Sequence, residues 1–177
     1  MVNRMSKLNL ILGYIVVCAL GILSHFAFDF FKIDYLRAIF PANESIFEHL
    51  KLFIFPAFLY MLVDWIVTKN KTGIFSSYIS GVLVASVFMI CSYYTYSGII
   101  GEDNSIVNIL IFFVCVLIIF YYRYKKITLF EGANSVIAFI VFLLIIEIFT
   151  FYPTDIHLFQ DPTRHEIQIE SLLNLFQ

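Results

Sequence analysis

Long apolar runs, rather than short alternating ones, dominate this chain. Five stretches read as nearly continuous hydrophobic segments, at about residues 8–31, 46–67, 74–96, 105–122 and 133–152. A helix of about 20 mostly apolar residues crosses the roughly 30 Å hydrocarbon core of a bilayer. Strands of a membrane barrel would instead alternate apolar and polar positions, and runs such as 106–120 show no alternation. The pattern therefore predicts an all-α polytopic membrane helix bundle with five transmembrane helices. No internal repeat or low-complexity linker divides the chain, so residues 1–177 read as a single transmembrane domain with a polar tail at 153–177.

Composition narrows the class without naming an activity. Of the 177 residues, 61% are hydrophobic and only 14% charged, against roughly 25% charged in a soluble domain. A chain this short cannot hide that much apolar surface in a water-soluble core. The net charge of −2 leaves no basic face for nucleic acid. A soluble enzyme, a disordered chain and a nucleic-acid binder are excluded, and the bilayer itself is the expected partner, at a cell membrane crossed several times.

The distribution of basic residues orients the expected bundle. Arg4, Lys7, Lys69, Lys71, Arg123, Lys125 and Lys126, seven of the eleven, fall on one side. That side is read as cytoplasmic, which places the N-terminus inside and the C-terminus outside. Trp65, Tyr121, Tyr122 and Tyr124 at the inner boundary, with Tyr93, Tyr94, Tyr96 and Tyr152 at the outer one, match the aromatic belt of membrane proteins. The first apolar run is long enough to span outright, which favours a retained helix over a cleaved leader. Cys18, Cys91 and Cys115 lie within spans and read as small buried hydrophobes rather than a disulfide framework.

Ionisable residues inside the spans carry the functional information, because hydrocarbon makes them expensive. Span one holds His25 and Asp29, four apart and so on one helix face. Span two opens with NESIFEHLK, in which Asn43 reads as the N-cap, Glu44 and Glu48 share a face, and Ser45 and His49 share the next. Lys51 follows, and Pro56 is expected to kink the helix. Glu147 lies in span five. All four histidines fall on the expected outer side, whereas Asp64 and Glu131 near the inner boundary are explained by snorkelling and basic neighbours. These positions predict a polar pocket opening outward between spans one, two and five. The tail, with Asp155, His157, Asp161 and His165, is expected to fold over it.

Three readings of this cluster follow. In the first, a membrane-embedded hydrolase or transferase holds zinc or another divalent metal through His25, Asp29 and His49 with one open position. Glu48 or Glu44 would then act as general base; a metal-free version would pair His25 or His49 with Ser24 or Ser45. Its substrate would be a lipid or another envelope component, with Asn43, Ser45, Lys51, Glu147 and Asp161 as binding residues. In the second, the same groups bind an ion or lipid without catalysis, in a transport or regulatory subunit. In the third, His25–Asp29 and Glu48–Lys51 are pairs that only satisfy one another. No HExxH, HxxxH or CxxC motif is present to decide among them.

HFAFD, PANESIFEHLKLFIFP and FTFYPTDIHLFQDP, in this order and with SYYTYSGIIG between the second and third, resemble a family of small bacterial integral membrane proteins, the domain of unknown function 6512 family. Its motif residues map onto His25, Asn43, Glu44, Ser45, Glu48, His49, Lys51, Asp161 and Pro162, with Phe47 standing where Trp is usual. The resemblance implies a polytopic bacterial membrane protein and supplies no mechanism.

Overall fold

A computed structural model describes residues 6–31, 33–68, 71–154, 156 and 158–159, with the side chain of Asp29 outside the described set. The elements among these residues are helical. Helix α1 is Lys7–Phe31, followed by a 3₁₀ turn at Asp34–Ala38. Then come α2 (Ile46–His49), α3 (Lys51–Val67), α4 (Ile74–Ile100), α5 (Ser105–Lys125) and α6 (Ala133–Phe151). Five segments are long and apolar enough to cross a membrane, with α2 and α3 together forming the second of them.

Two ends differ from the sequence expectation for a local reason. Helix α4 runs past residue 96 to a left-handed cap at Gly101 (φ 84°). Helix α5 runs past residue 122 to a left-handed cap at Lys126 (φ 55°). The aromatic residues taken as boundaries do not stop helical hydrogen bonding; a left-handed residue does. In the second span the break falls at Leu50, and Pro56 sits inside an unbroken α3.

Helices α4 and α5 form the closest pair, and α1 packs on α3 and α5. Close approach of α4 and α5 requires the missing side chain of Gly81, since a Cβ there would lie 2.8 Å from the Ile119 Cα. One turn on, the Ala85 carbonyl accepts from the Cys115 thiol at 3.4 Å. Gly81 and Ala85, four residues apart, thus form a small-xxx-small packing seam. Gly21 plays the same part between α1 and α3, where a Cβ would meet the Leu52 carbonyl oxygen at 2.5 Å. Pro56 has no N–H to offer that carbonyl, so α1 packs against backbone that the proline left open.

The core joins α3, α4 and α5 through Phe53, Met61, Tyr78, Ile119 and Phe120. Much of the remaining apolar surface faces outward: Leu23, Ile66, Leu117 and Ile140 are all exposed. In water such surface would be a liability; against lipid it is the expected exterior. Cys91 belongs to this exterior, in contrast to the buried place expected for it, while Cys18 and Cys115 are buried.

Asp64 does not snorkel. It is buried, and the Nε of Arg123, itself fully buried, donates to its Oδ2 at 2.7 Å. The Thr68 hydroxyl donates to Oδ1 at 2.8 Å. Arg123 Nη1 and Nη2 are buried without hydrogen-bond partners among the described residues. Removing one member of such a pair strands a buried charge, whereas replacing both by apolar residues does not. Arg123→Ala is therefore expected to cost about 3–5 kcal/mol of stability. Asp64→Leu combined with Arg123→Met should recover most of that loss, both read from unfolding in detergent micelles.

Candidate metal and substrate site

The segment between α1 and α3 builds the site. Ser45 is the N-cap of α2: its hydroxyl accepts from the Glu48 N–H at 3.3 Å. Asn43, expected in that role, instead accepts from the Ser45 N–H through Oδ1 at 2.9 Å. Glu48 reaches back along the chain, its Oε2 accepting from the Ala42 N–H at 2.8 Å. This is a capping-box arrangement stretched by three residues. It leaves Glu44 just before the helix, away from Glu48 and on the side of His49.

Glu44, His25 and His49 converge. Their ligand atoms lie within 4.8 Å of one another. His25 Nε2 is 3.8 Å from Glu44 Oε1, and His49 Nε2 is 3.4 Å from Glu44 Oε2. The two imidazoles are 5.5 Å apart between centroids, inclined by 34°. His49 Nδ1 lies 2.8 Å from the Ser45 carbonyl oxygen. A carbonyl only accepts, so Nδ1 carries the proton and Nε2 is directed at Glu44. When the ring also carries a proton on Nε2, its hydrogen bond to Glu44 holds that carboxyl below its usual range, against the opposing effect of partial burial. Among the described residues, His25 Nδ1 is buried without a hydrogen-bond partner.

A cavity of about 470 Å³ opens beside this group, with Tyr93, Asp103 and Asn108 among its polar lining. Asp103 Oδ1 accepts from the Tyr96 hydroxyl at 2.7 Å and from Asn108 Nδ2 at 2.8 Å. Tyr96 and Asn108 also bond each other. The cavity lies among α1, α2–α3, α4 and α5. It does not lie between spans one, two and five, because α6 packs chiefly on α4 and closes the opposite side of α2.

The remaining polar residues of the second span turn to that opposite side. Lys51 is fully buried, and its Nζ donates to Glu48 Oε2 at 2.9 Å, Glu48 Oε1 at 3.1 Å and the Arg37 carbonyl at 2.5 Å. The Thr150 hydroxyl of α6 donates to Glu48 Oε1 at 2.8 Å. Glu147, one turn earlier on α6, lies within electrostatic reach of Lys51 and Glu48. Of the sequence candidates, His25, Glu44 and His49 therefore meet at the cavity. Asn43 and Ser45 shape the turn beneath them, and Glu48 and Lys51 form a separate buried pair with the half-buried Glu147 nearby. Ser24 is occupied, donating to the Gly21 carbonyl at 2.8 Å. Asp161, His157 and His165 lie outside the described residues, as does the Asp29 side chain.

Sequence reasoning missed Asp103, Asn108, Tyr93 and Tyr96. The tyrosines were assigned to the interfacial belt, and Asp103 and Asn108 lay outside the motifs of spans one and two. The available signal was the i, i+5 pair of Asp103 and Asn108 flanking the start of α5.

The match to a family model covers residues 1–168 and is described as a family of unknown function (DUF6512). The chain belongs to that family. No curated protein and no solved structure matches it.

The separation into two clusters yields a direct test. Lys51→Met should lower stability by about 3–5 kcal/mol, because Glu48 is left as an unpaired buried carboxylate. Adding Glu48→Leu should restore much of that stability, as followed by thermal unfolding in detergent.

Proposed function

We propose that this protein is a membrane-embedded, metal-dependent hydrolase or group transferase. His25, Glu44 and His49 hold a divalent ion, and the substrate is a lipid or other envelope component. The observation that carries this reading is the convergence of two imidazoles and a carboxylate on one wall of the cavity. Donor atoms around a tetrahedral ion with bonds near 2.1 Å are about 3.4 Å apart, so the 3.4 and 3.8 Å separations need little closing. Two histidines and a glutamate leave one position open, as hydrolytic zinc sites do. The Ser45 carbonyl presets the His49 tautomer, the kind of outer partner that orients ligating histidines.

An ion held by these residues would polarise an acyl or phosphoryl oxygen and acidify water. Asp103, held across the cavity by Tyr96 and Asn108, is the remaining carboxylate among the cavity's polar groups. In hydrolysis the water oxygen bonds to the acyl carbon or phosphorus as the bond to the leaving oxygen breaks. Asp103 takes the water proton and passes it to that oxygen. Glu48, bound to Lys51 and Ala42, takes no part in the chemistry. The run of basic residues named above favours a cytoplasmic N-terminus, and on this reading the cavity opens on the outer side of a bacterial cell membrane.

Purified protein loaded with zinc is expected to retain about one ion per chain by elemental analysis. His25→Ala, Glu44→Gln and His49→Ala should each weaken retention by more than about 10-fold, the scale on which even outer partners act, while the helical circular dichroism is unchanged. A folded protein that holds no stoichiometric divalent ion, or holds it equally well after these substitutions, overturns the metal reading.

A further inference from the structure

The cavity is graded in polarity: on each helix that lines it a polar group is followed inward by apolar lining, while Phe26, Ile46 and Ile109 add apolar surface at the polar level itself. Helix α1 contributes His25 and then, one turn toward the bundle centre, Gly21 and Ile22. The second span contributes His49 and then Leu52. Helix α4 contributes Tyr93 and then Met89, and α5 contributes Asn108 and then Ile111 and Phe112. Because α1 and α4 run toward the site end and α2–α3 and α5 run away from it, the deeper residue precedes the polar one on the first two. It follows on the others. Four independent elements thus place polar groups at one level and apolar ones about 5 Å further in.

The cavity also has a side opening. On the second-span, α4 and inner α5 walls its apolar lining is buried: Leu52, Met89, Ile111 and Phe112. At the seam between α1 and α5 it is not. Ile22, Phe26 and Ile109 line the cavity while remaining 47%, 62% and 53% exposed. All three belong to segments long and apolar enough to cross a membrane, where acyl chains are the expected surroundings. A polar small molecule would gain nothing from an apolar floor or from a door facing acyl chains.

We infer that the occupant of this cavity is a bilayer phospholipid that enters sideways between α1 and α5. Its headgroup linkage sits beside His25, Glu44 and His49, and one acyl chain lies over Leu52, Met89 and Phe112. The headgroup placement rests on the proposed metal site; the acyl-chain seat rests only on the polarity gradient and the side opening.

The test uses the full chain in phosphatidylcholine vesicles containing a trace of phosphatidylglycerol with a diazirine at one acyl terminus. Labelled positions are mapped by mass spectrometry after illumination, and metal content is measured on the same samples. Labelling is expected at Met89, Leu52 or Phe112, alongside the outward-facing Leu117. Replacing the exposed door residues, Ile22→Trp with Ile109→Trp, should cut the floor labelling severalfold and leave that of Leu117 unchanged. Phe26→Ala, which widens the same door, should raise it. Labelling of Leu117 with an unlabelled floor overturns the inference, as does floor labelling indifferent to both door variants. Floor labelling that follows the door in protein holding no metal upholds the acyl-chain seat and sinks the metal reading, so the two failures are distinguishable.

Discussion

A lysine ammonium with no exposure at all is the constraint on which this architecture turns. Lys51 cannot sit in an apolar bundle unpaired, and the chain meets that demand by folding the stretch before α2 back onto it. Glu48 supplies the countercharge and the Arg37 carbonyl a further acceptor. Glu48 in turn takes the Ala42 N–H. Both ends of the 37–42 stretch are thereby fixed, and the next residues, Asn43 and Glu44, have little choice of position. The Glu48–Lys51 pair lies off the cavity but determines where the carboxylate beside the histidines lies.

The start of α2 consequently serves two clients. Adjacent helix residues point about 100° apart, and Glu48 and His49 divide accordingly. Glu48 faces the buried cluster completed by Thr150 of α6, and His49 faces the cavity between α1, α4 and α5. This division explains why a short, dense motif is needed at a single helix end. It also separates the groups that satisfy one another's buried charge from those that face the cavity.

The far end of the bundle solves the same problem differently. Asp64 and Arg123 come from different spans and meet in the interior, and neither lines the cavity beside the histidines. One end therefore spends its buried charge on holding helices together, and the other leaves part of its polar groups facing an open space. Glu44, half-exposed and drawn to two histidines, belongs to the second kind.

The number of helices and their approximate limits were legible because lipid imposes a composition on every residue it touches, and composition is local. His25, Glu44 and His49 were legible as candidates for the same reason, as was the Glu48–Lys51 pair. The meeting of Glu44 with both histidines was not, the sequence having offered Asp29 as their carboxylate, since it depends on the path of residues 33–45. Nor were Asp103 and Asn108, which reach the cavity only because α4 and α5 pack closely across Gly81. The sequence by itself determined the membrane class, the five spans and the scarce polar residues worth attention, because the penalty for burying charge acts residue by residue. Only the tertiary structure decided which of them meet, because helical periodicity sets the face a residue occupies but not the neighbour that face encounters.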